Sequence, residues 1–264
     1  MRTPSRRVPR GSWTALLIFA FTPTLASAQT AEPASVPSPD YQSEYDSLEK
    51  DFKEAQEAFY KAYSEIDGEE AQMAFWSDAS KNPNQIFAAR YRAFAERAGS
   101  HPAAAKAWMW FLQSSQDADE KARVVDRMLE NFLDAPAIAD FAQFLQYAEW
   151  SIGRPKTVGA LRTIREKSQN ELGRQTATLT LGIVQMNATS EAGKAESRAL
   201  LDELLREAPD SPSGKRAVGY LYELDHLQIG MIAPEIEGTD SEGKSFKLSD
   251  YRGQVVVLDF WGFW

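Results

Sequence analysis

Residues 230–264 read GMIAPEIEGTDSEGKSFKLSDYRGQVVVLDFWGFW, and their grammar differs from everything before them. Pro234 follows Ala233. Asp240, Ser241, Glu242 and Gly243 make a turn signal, a second turn follows at 250–253, and then comes the run 255–260, Val-Val-Val-Leu-Asp-Phe. A short run of β-branched and aromatic residues bounded by glycine predicts a strand, and a nearly continuous apolar one predicts burial on both faces. Such a strand needs neighbours on both sides, which the rest of this stretch does not supply.

The blocks fall in a set order: Gly230, Ala233-Pro234 and Ile236; Asp240 with Gly243-Lys244; Leu248-Ser249-Asp250-Tyr251-Arg252-Gly253; then Val255-Val256-Val257-Leu258-Asp259-Phe260-Trp261. In that order they resemble the opening of the thioredoxin-like redoxins, the group of TlpA- and ResA-type thiol-disulfide oxidoreductases and AhpC/TSA peroxiredoxins. The resemblance covers the last 35 residues. It implies the first β elements of an incomplete thioredoxin-like α/β domain, with thiol exchange or peroxide reduction as its chemistry. In the family a Trp-x-x-Trp pair, matched by Trp261 and Trp264, leads directly into a Cys-x-x-Cys. Phe260, Trp261 and Trp264 are therefore expected to flank a redox site. The sequence contains no cysteine, so no catalytic residue is assigned and the polypeptide is expected to be redox-inert. No cofactor or metal is expected either. Two readings of the end at Trp264 stand side by side: continuation with selenocysteine or cysteine, or a nonsense change, frameshift or deliberate shortening.

At the other end, Arg2, Arg6, Arg7 and Arg10 precede an apolar run at 13–21 and an Ala26-Ser27-Ala28 ending. That order describes a secretory signal peptide over 1–28, too short in its apolar part to span a bilayer. Pro9 favours the general secretory route over twin-arginine export. The expected localisation is periplasmic or extracellular, with no stable membrane anchor. Loss of those four arginines would take the formal net charge from −9 to −13, which disfavours nucleic-acid partners. Residues 29–40, with Pro33, Pro37 and Pro39, read as an extended linker.

Residues 41–228 carry a helical period. Tyr45, Leu48, Phe52, Ala55, Phe59, Ala62 and Ile66 form a heptad-type seam, read as a first helix laid along its own domain in preference to a dimerising coiled coil. Breakers recur at Pro102, Pro136, Leu172-Gly173 and Pro212, spaced 34, 36 and 40 residues apart. Proline just inside a helix start, preceded by Ser or Asp as a nearby cap, predicts helix starts there, and the units read as αα-hairpins resembling tetratricopeptide-type repeats. The usual tetratricopeptide Trp, Gly, Tyr and Pro positions are not reproduced. The predicted fold is thus mainly α, a hairpin repeat over 41–228 followed by a redoxin fragment over 229–264.

Within the helical part, His101 and His226 have no ligand-spaced neighbours; they read as a helix-entry residue and a helix-end residue. Glu65, Glu69 and Glu70 read as a solvated face. Trp76, Trp108, Trp110 and Trp150 read as core fillers, with room for one or two on a binding surface. Two functions follow: an exported redoxin with a helical module, or a helical scaffold that binds a protein partner. The sequence leaves both open.

Overall fold

A computed structural model describes residues 39–262 of the chain. The expected signal peptide, most of the expected linker, and Trp264 lie outside the described residues. Ten α-helices run in succession: α1 Tyr41–Ser64, α2 Glu69–Ser77, α3 Pro83–Ala98, α4 Pro102–Ser114, α5 Ala118–Asn131, α6 Ile138–Ile152, α7 Arg154–Lys167, α8 Glu171–Met186, α9 Glu191–Glu207 and α10 Pro212–His226. A short hairpin, β1 Glu237–Thr239 and β2 Ser245–Lys247, and a 3-10 helix, Leu248–Tyr251, follow. The protein is mainly helical.

The helix starts are dictated locally. Asp40, Asn82, Asp117, Asn170, Ser190 and Ser211 each accept a hydrogen bond from a first-turn backbone N–H, and Pro83, Pro102 and Pro212 occupy first-turn positions whose own N–H would go unused. His101 is the N-cap of α4, its Nδ1 accepting from Ala103 N at 3.2 Å. Pro136 departs from expectation. It lies in the turn before α6, which starts two residues later at Ile138 without a side-chain cap. A single residue, Gly153 at φ 82°, separates α6 from α7 and serves both ends, a conformation that glycine adopts without strain.

The seam of α1 faces inward, as a helix of its own domain. Tyr45, Leu48 and Phe52 are buried against α3 and α4, with Phe52 edge-on to Phe87, Tyr91 and Trp110. Ile66 lies beyond the helix. The main core continues through Phe111, Leu112, Val125, Met128, Phe141, Leu145, Leu161 and Ile164. Helix α8 is central: every residue from Thr176 to Gln185 is buried, and it packs on α6, α7, α9 and α10. Gly182 permits the α8–α9 approach, since a Cβ there would stand 3.1 Å from Leu201 Cδ2, and Ser197 Oγ donates to Gly182 O at 2.7 Å.

The turn before α6 and the turn before α8 are tied to each other. Ser168 Oγ donates to Leu133 O at 2.6 Å, Gln169 N to Asp134 Oδ1 at 2.6 Å, and Asn170 Nδ2 to Ala135 O at 3.3 Å. All three bonds join residues 35 apart in sequence, close to the breaker spacing. Ion pairs with similar separations, Arg162–Glu196 at 2.7 Å and Arg165–Glu203 at 2.7 Å, join α7 to α9 on the outside.

The tryptophans divide. Trp108 is buried and Trp110 stacks on Tyr91 with centroids 3.9 Å apart, as core residues do. Trp76 is half exposed and Trp150 is 97% exposed, so core filling is not their role. Trp150 sits on the outward stripe of α6 with Gln143 and Tyr147, which its helical register turns away from buried Leu145 and Ala148.

The run 255–260 is corrected as well. It forms no strand, and its residues are all exposed. A strand exists only through its ladder partners, and among the described residues the ladder ends with the β1–β2 pair.

Candidate functional site

The segment resembling a redoxin is built around two carboxylates. Asp240 Oδ1 accepts from Glu242 N at 3.0 Å and Lys244 N at 2.9 Å, while Asp240 N donates to Lys244 O, closing the β1–β2 turn. Gly243, at φ 83°, takes the left-handed position of that turn. The strands pair antiparallel with Gly238 opposite Phe246, and the Phe246 ring covers Gly238 so closely that a Cβ would meet it at 3.0 Å. The missing side chain thus makes room for the ring that covers the hairpin.

Glu235 does the corresponding work beyond β2. Its Oε1 accepts from Ser249 N at 3.0 Å and Ile236 N at 3.2 Å, and Leu248 N donates to Ile236 O at 2.9 Å. The 3-10 helix is thereby pinned to the strand entering the hairpin. Hydrogen bonding from Ser249, its side chain first and its backbone N–H second, holds the Glu235 carboxyl below the usual carboxylate range. Asp250 Oδ2 accepts from Lys247 N at 2.9 Å, and Lys247 Nζ pairs with Glu237 across the hairpin. Sequence reasoning singles out Asp240 and Asp250 as turn residues but misses Glu235. Its position directly after Pro234, with a free acceptor and no cationic neighbour in sequence, is the signal that could have found it.

Past Gly253 the chain runs on exposed through Val255, Val257, Phe260 and Trp261. Phe260 and Trp261, expected beside a redox centre, are present at 82% and 72% exposure, and the structure brings no thiol to them because the chain has no cysteine. Trp264 is outside the described residues. Among the described residues, no three His, Cys, Asp or Glu side chains are grouped to hold a metal ion, and no helix is long and apolar enough to cross a membrane. His101 and His226 stay apart: the first caps α4, and the second packs its ring at a tilt against Tyr222, centroids 4.5 Å apart, in the last turn of α10.

The helical part offers surface concavities. One, between α3, α4 and α5, is lined by Ala88, Ala89, Arg92, Phe111 and Glu120, with Arg92 paired to Glu120 and lying 4.8 Å from the Phe111 ring centroid. Another, between α7, α8 and α9, is lined by Arg165, Arg174, Glu171 and Glu203. Both hold charges that are largely satisfied within the fold.

No family model matches the chain, and no solved structure does. Among curated proteins, it is similar to the thiol-disulfide oxidoreductase ResA of Bacillus anthracis, 44% identical over 46 residues, which is 17% of this chain and 27% of that protein. It is also similar to ResA of Geobacillus kaustophilus, 43% identical over 54 residues, covering 18% of this chain and 31% of the relative. ResA of Geobacillus thermodenitrificans is 40% identical over 45 residues, 17% of this chain and 26% of that one. The chain thus spans between a quarter and a third of the length of the relatives it matches. This short local likeness supports a thioredoxin-like redoxin region within a chain that is otherwise helical.

Proposed function

We propose that this chain represents part of an exported thioredoxin-like redoxin, with a helical-repeat module over 41–228 placed before the opening of a redox domain over 229–264. The local likeness to ResA proteins carries the reading, and it favours thiol-disulfide exchange over peroxide reduction. The hairpin-and-clamp geometry of 235–250 supports it, because the residues of that stretch fix one another's backbone locally. Asp240 and Gly243 close the turn, Gly238 admits Phe246, and Asp250 caps the 3-10 helix. The exposed run 255–260 has the composition of an interior strand and lacks the ladder such a strand requires. Phe260, Trp261 and Trp264 would flank a redox centre supplied by residues following them in the family pattern. In such folds the attacking cysteine stands at a helix N-terminus, where the dipole lowers its pKa and keeps the thiolate available.

The polypeptide 1–264, having no cysteine, is expected to show no thiol-dependent insulin reduction above background. The decisive arm is a chimera: residues 1–264 joined to the part of a ResA domain that begins at its Cys-x-x-Cys. Insulin reduction by the chimera, lost when either cysteine becomes serine, supports the reading. A chimera that folds its helices yet leaves the joined domain unfolded and inactive refutes it.

A second reading, a helical scaffold for a protein partner, is favoured by one observation. The helices α3–α10 bury their apolar faces on one another, and the turns before α6 and α8 are tied by hydrogen bonds within the helical part. A partner that remains bound after deletion of 230–264 would favour it.

A further inference from the structure

Helices α1 and α2 build a small aromatic cluster apart from the two main cores. Phe59 stacks on Phe75 with centroids 4.9 Å apart, and Tyr60, Tyr63 and Trp76 close around them at 5.5–6.5 Å. Of these five rings only that of Phe59 is buried. Helix α2 has no buried residue and no side-chain N-cap, and its nine residues are too few to be stable as an isolated helix. One outward face carries Met73 at 70% exposure and Trp76, with Tyr60 of α1 beside Trp76 at 6.1 Å.

The rim of that face is acidic. Glu69 and Glu70 stand four and three residues before Met73, Glu57 stands three before Tyr60, and Glu65 and Asp67 lie at the turn between the helices. On a helix such spacings make side chains neighbours. None of these five carboxylates forms an ion pair among the described residues, and Lys61 is the one cation interspersed with them in sequence. One cation already sits beside the cluster: Lys81 Nζ, paired with Asp78 at 3.2 Å, lies over the Phe75 ring, 5.1 Å from its centroid.

We propose that the Tyr60–Met73–Trp76 face docks a cationic amphipathic segment of another polypeptide, one presenting aliphatic side chains between lysines or arginines. Three features converge on that chemistry. The exposed rings accept a cation on their faces, the thioether of Met73 adapts to aliphatic side chains of varied shape, and the unpaired carboxylates complement flanking ammonium or guanidinium groups. The docked segment would cover α2 and complete its missing burial.

The probe is a synthetic helix-forming peptide of about 18 residues with leucines at i, i+3, i+4 and i+7 and lysines elsewhere, titrated against the full chain by calorimetry. Its counterpart has glutamates in place of the lysines. The lysine peptide is expected to bind and the glutamate peptide not to. Trp76→Ala with Met73→Ser should weaken binding by about tenfold or more, and so should Glu69→Lys with Glu70→Lys, which leaves every aromatic ring in place. Glu130→Lys with Glu166→Lys makes the same charge change on α5 and α7 and should leave affinity unchanged. The proposal is overturned if that control weakens binding as much, if both peptides bind alike, or if neither binds. A concentration-dependent dimer abolished by Trp76→Ala with Met73→Ser would also overturn it, making a second copy the occupant.

Discussion

Tyr91 is wholly buried, its ring stacked on Trp110 and edge-on to Tyr45 and Phe52, yet its hydroxyl meets no hydrogen-bond partner. Burial pushes its phenol far up, and pushes that of Tyr45 up to about 12. An unsatisfied buried hydroxyl costs stability, so Tyr91→Phe should be neutral or stabilising by up to about 1–2 kcal/mol in denaturant unfolding, whereas Tyr91→Ala should cost about 3–5 kcal/mol. A loss of more than about 1 kcal/mol in the phenylalanine variant would show that the hydroxyl is satisfied in solution. Glu235 gives a prediction with a sign. Its folded pKa is depressed, so its clamp on Ser249 is whole above the ordinary carboxylate value and is lost as pH falls through the folded value. Exchange of the Ser249 amide should accelerate relative to its intrinsic rate as pH falls through that window, and Glu235→Gln should remove most of that pH dependence. A variant with the same pH profile as the parent would place the titration elsewhere.

Among the elements, the helix starts at His101-Pro102 and Ser211-Pro212 were legible because their signals are chemical and local, each pairing a side-chain acceptor with a proline in the first turn; Asn82-Pro83 carries the same signal, which sequence reasoning misses. Pro136 misled because Ala135 and Ala137 offer no acceptor, so the chain makes a further turn before α6 begins. Burial could not be read in the same way. Trp108 and Trp150 are the same residue type in equally helical surroundings, and only the neighbouring helices decide that one is covered and the other is not. The ties between turns were likewise invisible, since Ser168 and Asn170 reach partners 35 residues back. Asn170 carries two roles, capping α8 through Gly173 N at 2.9 Å and holding Ala135 O. Asn170→Ala should therefore cost about 2 kcal/mol, against about 1 kcal/mol for Ser211→Ala, which loses the N-cap of α10 and a local bond to Ala208 O. Equal losses in thermal or urea unfolding would mean that the bond between hairpin turns contributes nothing.

For the molecule as a whole, the candidate site was legible as a pattern and not as a structure. Asp240, Gly243 and Asp250 could be placed because their bonds close within a few residues. The run 255–260 could not, because a strand is a relation between segments and its composition names no partner. The helical module and the C-terminal segment should then behave as separate folding units. Deleting 230–264 should leave the unfolding midpoint of the helices within about 2 °C of the parent, since both hydrophobic cores are built from residues between Tyr41 and Leu224. The proposal that 230–264 is the opening of a thioredoxin-like domain, whose run 255–260 becomes an interior strand only beside further strands, is tested most directly by hydrogen exchange. In the polypeptide 1–264 the amides of 255–260 should exchange at nearly unprotected rates while those of α8 remain protected. In the chimera completed with the rest of a ResA domain, the same amides should become protected to the level of α8. Protection already present without the added domain, or absent with it, would contradict the account.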